Sequence, residues 1–285
     1  MSDNTSSKFS FREAVKPVLI KLLGKNFYKY AQSYAKLRDI KYHLADEKEM
    51  ILLDEFIKPG DTAIDIGGNF AYYTERMSKI VGDAGKVFAF EPIPFTFEIF
   101  AMLVKKLKLK NVYFYKKGVS NKNETVQFRI PKTDIGTFNT GMAHISARNN
   151  NISDINKDYD YNNEETFDCE VVALDDFFNG NLPGLSFIKI DIEGAELFAL
   201  QGAKNLLAKY KPTILIEINP VFLEGFGLTQ ENVVSFIQEN GYKIFHLENN
   251  SVKLNIVENK PLWKDNFILI YESKISLHSN VFSGL

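Results

Sequence analysis

A single cysteine, Cys169, stands in the whole sequence, so no internal disulfide can form; its alternating apolar surroundings read as a buried structural thiol in a reducing, cytoplasmic setting. No stretch of 18 apolar residues occurs, and the polar start from Met1 to Ser10 lacks the apolar core of a secretory leader, so no transmembrane segment is expected. An excess of positive charge is missing too: 34 Lys and Arg stand against 36 Asp and Glu, a net charge of -2. Without a global positive field to neutralise a run of phosphates, nucleic acid is not the expected substrate. No internal repeat is evident. What the chain does have is 45% apolar residues over 285 positions, enough for one sizeable core with appended elements.

Phe11, Val15, Val18, Leu19, Leu22 and Leu23 share one face at helical spacing, which predicts an amphipathic helix that Pro17 could kink. From Lys8 to Lys41 there are nine basic residues against Glu13 and Asp39. That basic segment reads either as a solvated helical face or as a contact for a phosphate-bearing partner or membrane surface, and its helices offer a route to a homo-oligomer. A second helical run, with Met50, Ile51, Leu52, Phe56 and Ile57, ends at the turn Pro59-Gly60-Asp61. The expected division is a helical extension (1–58), a catalytic domain (59–275) and a tail (276–285).

After that turn, strand-like runs alternate with helical periodicity: strands at Thr62–Ile66, Lys86–Glu91, Asn111–Lys116, Leu185–Ile190, Thr213–Ile218 and Tyr242–His246, and helices at Phe70–Val81, Thr96–Leu107, Gly194–Leu207 and Thr229–Glu239. This pattern predicts βαβ units and a doubly wound α/β sheet of seven strands. A last strand, Asn266–Tyr271, has no helix before it and is expected to pair antiparallel. Two alternating runs, Thr125–Ile130 and Phe167–Val172, flank an Asn- and Asp-rich stretch and predict an inserted β-hairpin arm with a long loop.

Ligands of such sheets bind outside the carboxyl ends of the strands. The first strand leaves through Asp65-Ile66-Gly67-Gly68-Asn69-Phe70, where glycines let the backbone pass close to a ligand. A dinucleotide fingerprint fails because Asn69 and Tyr72 stand where glycines are needed, and no phosphate-binding G-x-x-x-x-G-K-[ST] loop exists. S-adenosylmethionine suits the acids better, since it has a cationic amine and sulfonium and no pyrophosphate. Asp65 can accept from its ammonium group, and Glu91, at the next strand end, can take both ribose hydroxyls.

Four stretches carry a resemblance: Asp65-Ile66-Gly67-Gly68-Asn69-Phe70-Ala71-Tyr72-Tyr73-Thr74; Phe90-Glu91-Pro92; Leu174-Asp175-Asp176-Phe177-Phe178; and Phe187-Ile188-Lys189-Ile190-Asp191-Ile192-Glu193-Gly194-Ala195-Glu196. Together they closely resemble the FkbM-type methyltransferases. The resemblance implies a class I methyltransferase (Rossmann-like) fold and S-adenosylmethionine as donor. It implies as acceptor a hydroxyl of a sugar or of a glycosylated or polyketide product. Where the family usually has Ala, this chain has Gly68. Cofactor contacts are accordingly expected from Asp65, Gly67, Gly68, Asn69, Tyr72, Thr74, Glu91, Pro92 and Asp191, and from Gly118, Val119 and Ser120 after the third strand.

Asp191 leaves its strand at the carboxyl end and Glu193 follows in the turn, so both are candidate catalytic groups. Two acids this close repel, so one holds a proton, a divalent cation sits between them, or Lys189 on the same strand face neutralises them. Glu196 reads as complementing the dipole of the helix that follows. Glu217, an acid inside an apolar strand, needs a partner and is assigned to substrate. His144, a catalytic candidate with a suitable pKa, joins Thr137, Asn139 and Thr140 in an expected substrate loop. The acceptor is expected to be a sugar or nucleotide sugar. Methylation of a natural-product hydroxyl or of nitrogen, or a non-catalytic partner subunit, are the alternatives.

Overall fold

Five consecutive buried residues, Thr62–Ile66, form β1, as a parallel strand covered on both faces requires. In the computed structural model, which describes residues 11–131, 143–147, 164–247, 253–257 and 261–282, this strand lies inside an eight-stranded sheet. The chain runs α1 (Phe11–Lys41), α2 (Leu53–Phe56), β1, α3 (Tyr72–Val81), β2 (Lys86–Phe90), α4 (Pro94–Leu107), β3 (Val112–Tyr115), β4 (Gly118–Val119) and β5 (Glu124–Pro131). It continues through β6 (His144–Ile145), β7 (Glu164–Val172), α5 (Leu174–Phe178), β8 (Phe187–Ile190), α6 (Glu196–Gly202), α7 (Lys204–Tyr210), β9 (Thr213–Ile218) and α8 (Pro220–Gly225). Last come α9 (Gln230–Glu239), β10 (Tyr242–Leu247), β11 (Leu254–Ile256) and β12 (Asp265–Tyr271).

Strand order is β11-β10-β12-β9-β8-β1-β2-β3, with β12 antiparallel to both β9 and β10. The doubly wound sheet with its antiparallel last strand is therefore as the periodicity predicts. An eighth strand, β11, is added: its three residues pair antiparallel with the end of β10, and so short a run carries no periodicity to read. Order reverses between β1 and β8, so the connections leaving their carboxyl ends part and open a crevice. One core layer holds Leu53, Ile57, Met77 and Phe100, the other Ile66, Phe90, Ile188 and Leu200.

The inserted arm is a hairpin of β5 and β7 within a small sheet ordered β4-β7-β5-β6. Thr137, Asn139 and Thr140 of the expected substrate loop lie outside the described residues. In the extension, α1 breaks at Gly24, whose φ of 79° favours glycine, and not at Pro17. Tyr28 stacks on Phe95 of α4 at 5.9 Å, which fastens the second half of α1 to the domain. Beyond β12, a helical turn segment (Glu272–Val281) brings buried Phe282 to 4.9 Å from Phe245. Among the described residues no helix is long and apolar enough to cross a membrane.

Candidate active site

The exit of β1 is built by close backbone approach. Gly67 has φ 82°, and a Cβ there would lie 2.0 Å from the carbonyl oxygen of Asp191, so this position accepts only glycine. The N–H groups of Gly67 and Gly68 both donate to the Phe90 carbonyl at 3.0 Å, tying the exits of β1 and β2 together. A Cβ on Gly68 would meet the Phe100 ring at 2.9 Å, which accounts for a residue smaller than alanine there. Asn69 and Ala71 take positive φ (43° and 62°), turning the chain into α3.

Glu91 faces this turn. Its Oε2 accepts from the Asn69 N–H at 3.0 Å and its Oε1 from the Ile93 N–H at 2.9 Å. Burial pushes its carboxyl up to about 7, against the lowering effect of those two donors. With each oxygen held by one donor, further lone pairs remain for a diol. Glu91 lines an open cleft of about 500 Å³ together with Gly67, Asn69, Pro92, Asp191 and Glu193. Next to it, a cleft of about 280 Å³ has largely apolar walls that include Pro92, Gly118, Val119, Phe128, Ile145 and Ile192. Cys169 braces the junction: its buried thiol, pushed up to about 11 by burial, donates to the Pro92 carbonyl at 3.3 Å, the structural role expected of it.

Of the other expected cofactor residues, Asp65 is fully buried; Thr74 donates to its Oδ2, and its Oδ1 has no hydrogen-bond partner. Burial raises its pKa, and Lys189, its register partner on β8, counteracts this. Tyr72 packs under Lys36, 5.7 Å from ring centre to Nζ. Ser120 is buried, with its N–H on the Val172 carbonyl. Gly67, Asn69, Glu91, Pro92, Gly118, Val119 and Asp191 line the two clefts, and Asp65, Gly68, Tyr72, Thr74 and Ser120 are not among the residues that line them.

The acids after β8 and β9 form a second group. Lys189 Nζ donates to Asp191 Oδ2 at 3.1 Å and to the Gly67 carbonyl at 3.2 Å. Burial would lower the lysine pKa, but Asp191 and Asp65 raise it above the ordinary value, so the ammonium stays charged. In turn Lys189 and a hydrogen bond from Glu217 outweigh burial and hold Asp191 below the usual carboxylate range. Glu217 is pushed up to about 9 by burial and by Asp191 and Glu193, so it carries the proton of the pair. Oxygens of Asp191, Glu193 and Glu217 lie within 4.8 Å of one another, a set that could also hold a cation. Glu217, expected to bind substrate, thus joins Asp191 and Glu193. Glu196 accepts from the N–H groups of Ile192 (3.2 Å) and Gly194 (3.0 Å), which fixes the turn ahead of α6.

His144 is placed elsewhere. It is 1% exposed, 3.6 Å from Glu164 within the arm, and strand alternation turns its neighbours Ala143 and Ile145 to the clefts instead. The apolar cleft residues Phe128, Ile145 and Ile192 were not legible as site residues, because an apolar side chain on a strand or turn reads as core. A further link is Tyr73, whose hydroxyl donates to Glu47 of the extension at 2.9 Å and whose ring lies 5.4 Å from Lys189 Nζ.

The family profile described as the methyltransferase FkbM domain matches residues 65–244. No curated protein matches the chain. Among solved structures, the methyltransferase FkbM from Methylobacillus flagellatus KT is similar at 14% identity and a TM-score of 0.46, over 84% of this chain and 59% of that one. The present chain thus spans 59% of the length of that relative. A SAM-dependent methyltransferase from Aquifex aeolicus is 18% identical with a TM-score of 0.39, over 82% of this chain and 98% of that one. A putative rRNA methylase from Clostridium thermocellum is 13% identical with a TM-score of 0.45, over 79% and 93%.

Proposed function

The chain belongs to the FkbM methyltransferase family, and from that premise we propose that it moves a methyl group from S-adenosylmethionine to a hydroxyl of a sugar, carried on a glycan or a nucleotide. The two adjoining clefts suit the donor: the apolar walls around Val119, Phe128 and Ile145 fit an adenine, and Glu91 fits the ribose diol. Gly67 allows the backbone approach, and Asp65 would act on the amine end through the groups it holds. When bound, the cofactor supplies an electrophilic methyl group.

The observation that carries the choice of oxygen is the pair of Asp191 and Glu217. A hydroxyl that attacks the methyl carbon must lose its proton as the new C–O bond forms and the S–C bond breaks. Asp191, kept ionised by Lys189 and oriented by protonated Glu217, is the acceptor for that proton; the pairing that keeps it ionised also makes it a weak base, so it takes the proton only as the C–O bond forms and the hydroxyl becomes strongly acidic. Lys189 and the shared proton together relieve the repulsion among the acids, so no cation is required for it. Glu193 borders the same cleft and helps position the acceptor.

Single-turnover kinetics on Asp191→Asn test this. The expected outcome is a loss of roughly 10²–10⁴-fold in rate at saturating cofactor, and a wild-type rate that a chelator leaves unchanged. A full rate in the variant overturns the proton role. A chelator-sensitive rate restored by magnesium replaces it with a bound cation. Methyl transfer only to nitrogen, read by NMR of the product, overturns the choice of oxygen.

A further inference from the structure

Phe27, Tyr30 and Tyr34 of α1 are 47%, 55% and 62% exposed. With Arg38 and Lys41 they recur every three or four residues, so a helix of 3.6 residues per turn carries all five on one narrow stripe. The stripe lies opposite the buried Tyr28, Ser33, Asp39 and Ile40, the face that meets the domain. A solvent-facing helix stripe ordinarily carries polar and charged side chains. Here six of the ten large apolar or aromatic side chains exposed among the described residues lie between Phe27 and Ile51, a concentration that marks a contact surface.

The charge around the stripe is of one sign. From Gly24 to Lys41 five basic residues stand against Asp39, and from Pro94 to Asn111 four lysines stand against Glu98, an excess of seven positive charges over the two segments. Both acids are already engaged: Asp39 is buried and 3.6 Å from Arg38, and Glu98 accepts from Lys29. Just beyond the helix, Asp46 is paired with His43 at 2.8 Å. The two segments share one surface, because α1 packs on α4 and Lys106 holds its Nζ 3.3 Å from the centre of the Tyr34 ring. Its chain neighbours Lys105, Lys108 and Lys110 are exposed.

We infer that this stripe docks the protein on an anionic lipid surface, with the rings of Phe27, Tyr30 and Tyr34 at the level of the headgroups and Arg38, Lys41 and Lys106 on the lipid phosphates. Aromatic rings, two of them with a polar tip, suit the boundary between headgroups and acyl chains, and each cation near a negatively charged leaflet adds to the attraction. The helix lies on the surface without spanning it, since no described helix is long and apolar enough to cross. A second copy of the chain is disfavoured as the occupant, because a symmetric contact brings two patches of the same sign together. Single-stranded nucleic acid is held in grooves that track its backbone, and this stripe is a convex helix ridge. On the flank of the same helix, Lys36 Nζ stands 4.4 Å from the centre of the Phe70 ring and 5.7 Å from that of Tyr72, so the docked helix adjoins the turn that leaves β1. The inference does not depend on which acceptor is methylated.

Sedimentation of the full chain with lipid vesicles tests this, using phosphatidylcholine alone and phosphatidylcholine with phosphatidylglycerol in equal parts, each at low and high salt. Two double variants are compared with wild type: Lys41→Gln with Lys106→Gln, which spares the Arg38–Asp39 pair, and Tyr30→Ser with Tyr34→Ser. Circular dichroism and the melting temperature check that both variants fold. The expected result is that wild type binds the anionic vesicles, leaves the neutral ones in suspension, and is released by salt. Partitioning falls about fivefold for each cation removed and about tenfold in the tyrosine variant. Absence of binding to anionic vesicles at low salt overturns the inference, as does partitioning that neither variant changes. Loss in the charge variant alone overturns the placement of the rings in the lipid. Tighter binding of a single-stranded oligonucleotide than of anionic vesicles, or a dimer that the tyrosine variant abolishes, overturns lipid as the occupant. Should the tyrosine variant fail to fold, the charge variant and the salt dependence of wild type decide.

Discussion

Glu91 holds the turn after β1 and is also the group proposed for the ribose. Its two oxygens hold the Asn69 and Ile93 N–H groups, and burial sets its carboxyl to about 7. Hydroxyl donors of a bound ribose favour the ionised form, so cofactor affinity is expected to weaken as pH falls through about 7 and the carboxyl takes up a proton. Glu91→Gln removes the charge but keeps an acceptor and the shape. Calorimetry should show affinity lower by about 1.5–3 kcal/mol at pH 8 and little pH dependence in the variant. Wild-type affinity in Glu91→Gln at pH 8 would refute the assignment.

At the scale of elements, the helical extension is joined to the methyltransferase domain by a polar seam as well as by apolar packing. Tyr73 of α3 donates to Glu47, and Asn266 of β12 donates to Glu47 at 3.1 Å and Glu49 at 3.3 Å. Tyr73 is buried, and its pKa is raised by burial and by Glu47, so it remains the neutral donor. Tyr73→Phe keeps the ring over Lys189 and deletes only the hydroxyl. Denaturant unfolding should show a loss of about 1 kcal/mol. If stability is untouched, the Tyr73–Glu47 bond adds nothing to holding the extension.

For the whole molecule, the raised carboxyls set the pH dependence of stability. Glu91 and Glu196 at about 7 and Glu217 at about 9 keep protons in the folded state that the unfolded chain releases near the ordinary value of 4.5. Stability from these groups is complete below pH 4.5 and falls as pH rises through 7 and 9. Asp191 and Asp265, held low, lose their contribution only on stronger acidification. The ligand-free protein should thus melt at a higher temperature at pH 5.5 than at pH 8.5, and Glu217→Gln should flatten the upper part of that slope. Equal slopes in both proteins between pH 7 and 9 would mean that Glu217 does not hold the proton.

Local order decided much of this protein before any folding contact. The apolar runs Thr62–Ile66 and Thr213–Ile218, the glycine turn after Asp65 and the acids at strand ends are sequence-local signals, and they sufficed for the sheet and its antiparallel last strand. What no local pattern could decide was partnership across distance. His144 resembles a catalytic base in sequence, yet strand alternation turns it into the arm beside Glu164, and Ile145 lines the cleft in its place. The 3-residue strand β11 is too short to show a period. Glu217 becomes the proton-bearing half of a pair only because β8 and β9 lie side by side. Charge sharing and stacking depend on distances of a few ångströms between residues far apart in sequence, and only the tertiary structure sets those distances.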